Sequence, residues 1–271
     1  MSAATIAGAW HLHLLPVAFA IAAVCVFAPA FARMRRRQPD AAPWTRAGLF
    51  AAGLGLMVLP LMSPLNAAGE RYLISAHMLE HVLLADAGPA LLVLAVRGPL
   101  ARSLLPRPVP GGRLLRPALD VLLRPPVTLA TWVAVIGVWH IPALYDRALT
   151  HPALHALEHV SFACAGFLIW IQMIDPAGRG RLGLQGRLAF TVAVFFAGQV
   201  LSDALVFSFH AYYPAYADRP DRLLGLSPLA DQRAAGLVMA FEQLLTLGTC
   251  FVILLWQLRR GMTGVAVVRR S

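Results

Sequence analysis

The chain has 271 residues, 59% of them apolar, with only 13% charged and a mean hydropathy of +0.67; the charged share is about half that of ordinary soluble proteins, which excludes a disordered chain and a water-soluble domain with a polar surface. Its formal net charge of +10 rests on 23 basic residues, all arginine, set in short clusters between long apolar runs, a placement that anchors topology in a bilayer and leaves no need for nucleic acid as a partner. Three cysteines without a C-x-x-C pair exclude a disulfide framework and a thiolate zinc site.

A spanning helix needs about 20 predominantly apolar residues. Seven segments qualify, over residues 14–32, 47–65, 72–96, 126–145, 152–174, 188–209 and 234–258, so the expected fold is a single all-α integral membrane domain across 1–271, a seven-helix transmembrane bundle. The first segment has no Arg or Lys before it, and Arg33, Arg35, Arg36 and Arg37 follow it. A signal peptide carries its charge in the opposite order, so this reads as an uncleaved helix with its N-terminus outside. The second is interrupted by Gly53, Gly55 and Pro60. On that topology 18 arginines fall inside: the first cluster with Arg46; Arg97, Arg102, Arg107, Arg113, Arg116 and Arg124; Arg179, Arg181 and Arg187; Arg259, Arg260, Arg269 and Arg270. Five fall outside, namely Arg71, Arg147, Arg219, Arg222 and Arg233. The positive-inside rule therefore predicts an outer N-terminus and a cytoplasmic C-terminus.

Orientation assigns a depth to the polar residues. All nine histidines fall in the outer half or outer loops. His11 and His13 precede the first helix, and either fold back onto the others or sit among the headgroups. His77 and His81 open the third helix, His140 lies near the outer end of the fourth, and His151 follows it. His155 and His159 open the fifth, and His210 closes the sixth. Glu80 and Glu158 sit beside histidines, Asp146 borders them, and Asp203 lies two turns below His210, about 10 Å. Asp86 and Glu242 are near mid-membrane. No arginine lies inside a helix core, so these acids must protonate, hydrogen-bond or meet a cation.

The third helix carries His77-Met-Leu-Glu80-His81 and the fifth His155-Ala-Leu-Glu158-His159. In each H-x-x-E-H the polar groups at i, i+3 and i+4 share one helix face. Two such faces turned together would assemble four imidazoles and two carboxylates, a metal site rather than interhelical glue. The inverted zinc-peptidase reading lacks a third protein ligand and a single catalytic Glu. Haem held by histidines on two helices, as in membrane b-type cytochromes, stays open. Imidazole suits copper, zinc and iron, and Met62, Met78 and Met239 permit Cu(I); Cys25, Cys164 and Cys250 read as packing.

The stretches His77–Pro99 (HMLEHVLLADAGPALLVLAVRGP), Trp139–Phe162 (WHIPALYDRALTHPALHALEHVSF) and Gly225–Leu237 (GLSPLADQRAAGL) together resemble the CtaG family of polytopic cytochrome c oxidase assembly factors. The resemblance implies a multi-pass protein of the bacterial plasma membrane that matures a haem–copper oxidase, with oxidase subunits as partners and copper bound or delivered at the outer face. Matched by position, the family's histidines are His77, His81, His140, His151, His155 and His159. The resulting expectation is a metal-handling protein and not an enzyme. His77, His81, His140, His155 and His159 are its ligands. Glu80 and Glu158, with His151, support them, and Asp86, Asp203 and Glu242 handle protons. Ser227 and Pro228 read as the N-cap and first residue of the last helix, and Asp231 and Gln232 as residues that dock a partner. The rival readings are a haem-binding electron-transfer protein and a proton-coupled transporter using Asp86, Asp203 and Glu242.

Overall fold

The architecture follows from a computed structural model that describes residues 8–104, 115–219 and 223–268, with the side chains of 115–116 and 262–268 left aside. Arg107, Arg113, Arg222, Arg269 and Arg270 lie outside the described residues. Every described regular element is helical. The long helices are α1 (Leu14–Arg37), α2 (Trp44–Met62), α10 (Pro152–Ile174), α11 (Leu184–Val206) and α13 (Pro228–Val268). A further crossing, Ile74–Ala95, is built from α4 (Ile74–Val82), a π-helical turn (Leu83–Ala87) and α5 (Gly88–Ala95). Short helices α3 (Pro64–Arg71), α6 (Pro99–Leu104), α7 (Leu115–Leu122) and α12 (Pro214–Ala217) join them. Six crossings thus stand on length and hydropathy among the described residues.

The fourth expected span, 126–145, is not one straight helix. α8 (Pro125–Trp139) and α9 (Pro142–Thr150) meet at a 72° bend, and only together do they make a seventh crossing. Pro142 lacks the N–H that would continue the ladder and biases Ile141 away from the helical region; Ile141 accordingly sits at φ −66°, ψ 121°. The Tyr213 hydroxyl donates to the freed His140 carbonyl at 3.1 Å. A second departure lies after the second span, where 66–71 was expected as connection. Ser63 accepts from the Leu65 N–H at 3.2 Å with Pro64 at the first helical position, and α3 forms. The last helix starts at Pro228, ahead of the expected 234, with the Ser227 hydroxyl accepting from the Ala230 N–H at 3.2 Å.

The two motif-bearing crossings are the central ones. About half of the residues in Ile74–Ala95 and α10 are buried (56% and 50%), against 17% to 33% in the other four. They touch through glycine. A Cβ on Gly166 of α10 would fall 1.7 Å from the Ala85 carbonyl oxygen, so only glycine admits the widened π turn. Gly69 plays the same part between α3 and α4: its Cβ would lie 2.9 Å from the His77 Cα. α3 is thereby pressed against the residue that opens the site.

Candidate metal centre

α4 begins where α13 caps it. The Asp231 carboxylate accepts from the Ile74 N–H at 2.8 Å, from the Ser75 N–H at 3.2 Å and from the Ser75 hydroxyl, satisfying donors that a helix start leaves free. α10 begins at Pro152 in the first helical position. From these two starts His77, Glu80 and His81 face His155, Glu158 and His159. One ligand atom from each of the four histidines falls within 4.8 Å of all the others. The Nε2 atoms of His77 and His155 are 3.2 Å apart. Four nitrogens on one tetrahedral ion at the usual 2.0–2.1 Å would be about 3.3 Å apart, so a small inward shift closes the shell.

The carboxylates cross over. Glu80 of α4 lies 3.4 Å from the Nε2 of His159, and Glu158 of α10 lies 4.0 Å from the Nε2 of His81. Each motif's acid thus lies beside the other motif's second histidine without a hydrogen bond to it. Asn66 of α3 bridges two acids, donating to Glu70 at 3.2 Å and to Glu80 at 3.4 Å.

Two of the imidazoles have their orientation set from outside the cluster. The Gly69 carbonyl can only accept, so the Tyr216 hydroxyl donates to it at 2.7 Å. Tyr145 can then donate to the Tyr216 oxygen at 3.3 Å and accept from the His77 Nδ1–H at 2.6 Å. This order leaves the Nε2 lone pair of His77 facing the cluster. On the other side Glu70 lies 3.3 Å from His155 Nδ1, which leaves His155 Nε2 free in the same way. Hydrogen bonding from His155 holds the Glu70 carboxyl below its ordinary value, against the opposing effect of partial burial. Burial raises the Tyr216 and Tyr213 hydroxyls, so both stay protonated donors.

Several buried atoms lack a hydrogen-bond partner: both ring nitrogens of His81, His159 Nε2, one oxygen of Glu80 and both of Glu158. A buried polar group without a partner costs about 1–3 kcal/mol. Such orphans gathered round one point are the signature of a site that an ion completes, and the donor set, imidazole nitrogen with carboxylate beside it, fits a transition metal.

Residues 25–261 match the family described as cytochrome c oxidase caa3 assembly factor (Caa3_CtaG). The chain belongs to that family. The description is of an assembly factor, not of a catalyst. No curated protein and no solved structure matches the chain.

In this CtaG-family chain the other singled-out histidines and acids are outside the group of four. His140 sits at the α8–α9 bend; its Nδ1–H donates to the Ile136 carbonyl at 2.8 Å, its Nε2 is buried without a partner, and it lines a cavity of about 60 Å³ with His81 and Glu242. His151 is exposed, with Nδ1 3.0 Å from the Arg147 carbonyl. Asp203 is exposed on α11, away from the acids it was grouped with. Asp86 sits in the π turn, accepts from Trp170 Nε1–H and from the Thr246 hydroxyl (3.2 Å), and has Glu242 as a neighbour. Asp231 and Gln232 are 3% and 1% exposed and serve the chain's own backbone: Gln232 accepts from the Tyr212 N–H at 2.7 Å and donates to the His210 carbonyl at 3.2 Å. Partner docking has no support from these inward-facing side chains.

Sequence reasoning passed over Asn66, Glu70, Tyr145 and Tyr216. Tyr145 had a signal, since it ends the W-H-x-P-x-x-Y stretch. Glu70 and Asn66 had a weaker one: an Asn and an acid four residues apart, just before the third span, behind a Ser-Pro helix start.

Proposed function

We propose that the chain serves haem–copper oxidase assembly by holding copper between α4 and α10, at the outer face of the bacterial plasma membrane, before the oxidase takes it. The observation that carries this reading is the convergence of four imidazole ligand atoms within 4.8 Å, with both ring nitrogens of His81, the Nε2 of His159 and oxygens of Glu80 and Glu158 unpartnered beside them, in a chain of this family. His77, His81, His155 and His159 hold the ion. Glu80 and Glu158 balance its charge, and Tyr145 and Glu70 keep His77 and His155 turned toward it. Metal binding needs imidazole neutral, and an apolar, closely packed surrounding favours that form. The outer placement is supported by the 18-to-5 arginine distribution. Copper is favoured over zinc by the oxidase in the family's description.

A haem between these helices is disfavoured by the spacing. Four ligand atoms all within 4.8 Å of one another leave room for an ion and none for a macrocycle. The deciding experiment is elemental analysis of the purified protein beside the His81→Ala/His159→Ala variant. The parent is expected to retain copper and the variant to lose it while still inserting. Equal metal content in the two overturns the site; iron with a Soret band restores the haem reading.

A further inference from the structure

We infer that metal reaches and leaves the four-histidine site through the cavity between α1, α2, α3, α9 and α10, and that His13 is the transient ligand it meets on the way. This rests on the reading of the four histidines as a metal site.

The cavity holds about 600 Å³. Most of its wall is apolar, including Phe19, Met57, Leu61 and Phe167, but its polar residues are gathered together: His13, Asn66, Glu70, His155 and His159 with Thr150. It therefore touches two of the four candidate ligands, those of α10, and leaves His77 and His81 behind them. Thr150 and Pro152 on its wall, at the connection between α9 and α10, are exposed, so it opens at that end. Two other cavities among the described residues offer no such route. That of about 280 Å³ is lined by Arg97 and Arg187, which repel a cation, and contains no histidine. That beside His81 holds about 60 Å³ and is hemmed by Trp132 and Phe162.

α1 is attached in a way that suits the role. Of its four buried residues, Phe27, Ala30 and Phe31 lie in its second half, and only Pro16 lies near its start. The beginning of the helix is thus lightly packed, and the His11 N–H donating to the Met62 carbonyl at 3.2 Å ties the preceding segment to the end of α2. His13 is exposed and lines the same cavity as Glu70 and His159. An ion passing between ligand sets moves fastest when an incoming donor binds before an outgoing one leaves. An imidazole at this position shortens that step in both directions, so it changes rates without changing the final occupancy.

The test uses the full-length protein in detergent, with Cu(I) supplied from a coloured chelator and then withdrawn by excess chelator, and with Zn(II) in parallel. His13→Ala should slow loading and release together by roughly tenfold, a change of about 1.4 kcal/mol in each barrier, at unchanged final stoichiometry. His13→Met should restore the Cu(I) rates and not those of Zn(II), because thioether suits the softer ion. Ala156→Phe, which narrows the cavity and removes no donor, should slow loading as well. Unchanged rates in both His13→Ala and Ala156→Phe overturn the route. Lost stoichiometry in His13→Ala makes His13 a permanent ligand and overturns its transient role. A parent that retains no metal defeats the four-histidine site itself, a result distinct from either.

Discussion

Two groups of ionisable side chains are buried in the same apolar bundle, and they are finished differently. Around Asp86 the structure supplies donors to that one carboxyl, from Trp170 and Thr246, while both oxygens of its neighbour Glu242 are buried without a partner. Between α4 and α10 it supplies nitrogen after nitrogen, and leaves ring nitrogens of His81 and His159 and oxygens of Glu80 and Glu158 without a partner. Acids that find local donors hold helices together. Imidazoles assembled without donors, and oriented from behind by Tyr145 and Glu70, wait for an ion. Unpartnered atoms occur in both groups, so what separates them is the donor pair at Asp86 against four converging imidazoles.

The largest effect that tests this contrast is the loss of all retained metal in His81→Ala/His159→Ala, read by elemental analysis. The matching change in the acid group, Asp86→Asn, should leave metal content unaltered; a loss there would merge the two groups into one system. Next in size is Tyr145→Phe, expected to weaken metal affinity by roughly ten- to a hundredfold, read by competition with a chelator. Tyr145 is 1% exposed, so water cannot replace its oxygen at His77.

Glu70→Gln should cost less, up to roughly tenfold at neutral pH, because the Glu70 side chain is 33% exposed and water can take over part of its role. The sign of its pH dependence follows from its lowered pKa. Its support of His155 is complete above the ordinary carboxyl value of 4.5 and is lost as pH falls through the lowered one. An acid titration of metal retention should therefore show in the parent a carboxyl-dependent step that Glu70→Gln lacks. The smallest effect on metal is expected from Asp231→Ala, which removes the cap of α4. It should lower stability by about 1–3 kcal/mol, seen as a lower Tm in detergent, with metal content retained in the folded fraction.

Much of the molecule was readable before any coordinates. Hydropathy marked the spans because a bilayer imposes a length on apolar runs, and five of the seven segments correspond to helices whose ends differ only by a few residues from those expected. The H-x-x-E-H spacing placed three polar groups on one face because 3.6 residues make a turn, and that period belongs to the chain alone. The cap at Ser227 and Pro228 was legible for the same local reason. The bend at His140 had its signal in Pro142, but an apolar run conceals a break, since hydropathy does not register a missing N–H.

Tertiary structure alone decided which faces meet. Helix periodicity says that His77 and His81 look the same way, and nothing about what they look at; that depends on Gly166 admitting the π turn and Gly69 admitting α3. It left His140 outside the group of four, sharing a small cavity with His81, and placed Asp203 at an exposed position. It turned Asp231 and Gln232 inward to their own chain, and recruited Glu70 and Tyr216 from short helices that carry no motif. The physical reason is one of range. Local rules act over a turn or two of helix, whereas Tyr216 lies 139 positions from the ring it serves, and only close packing carries information across that distance.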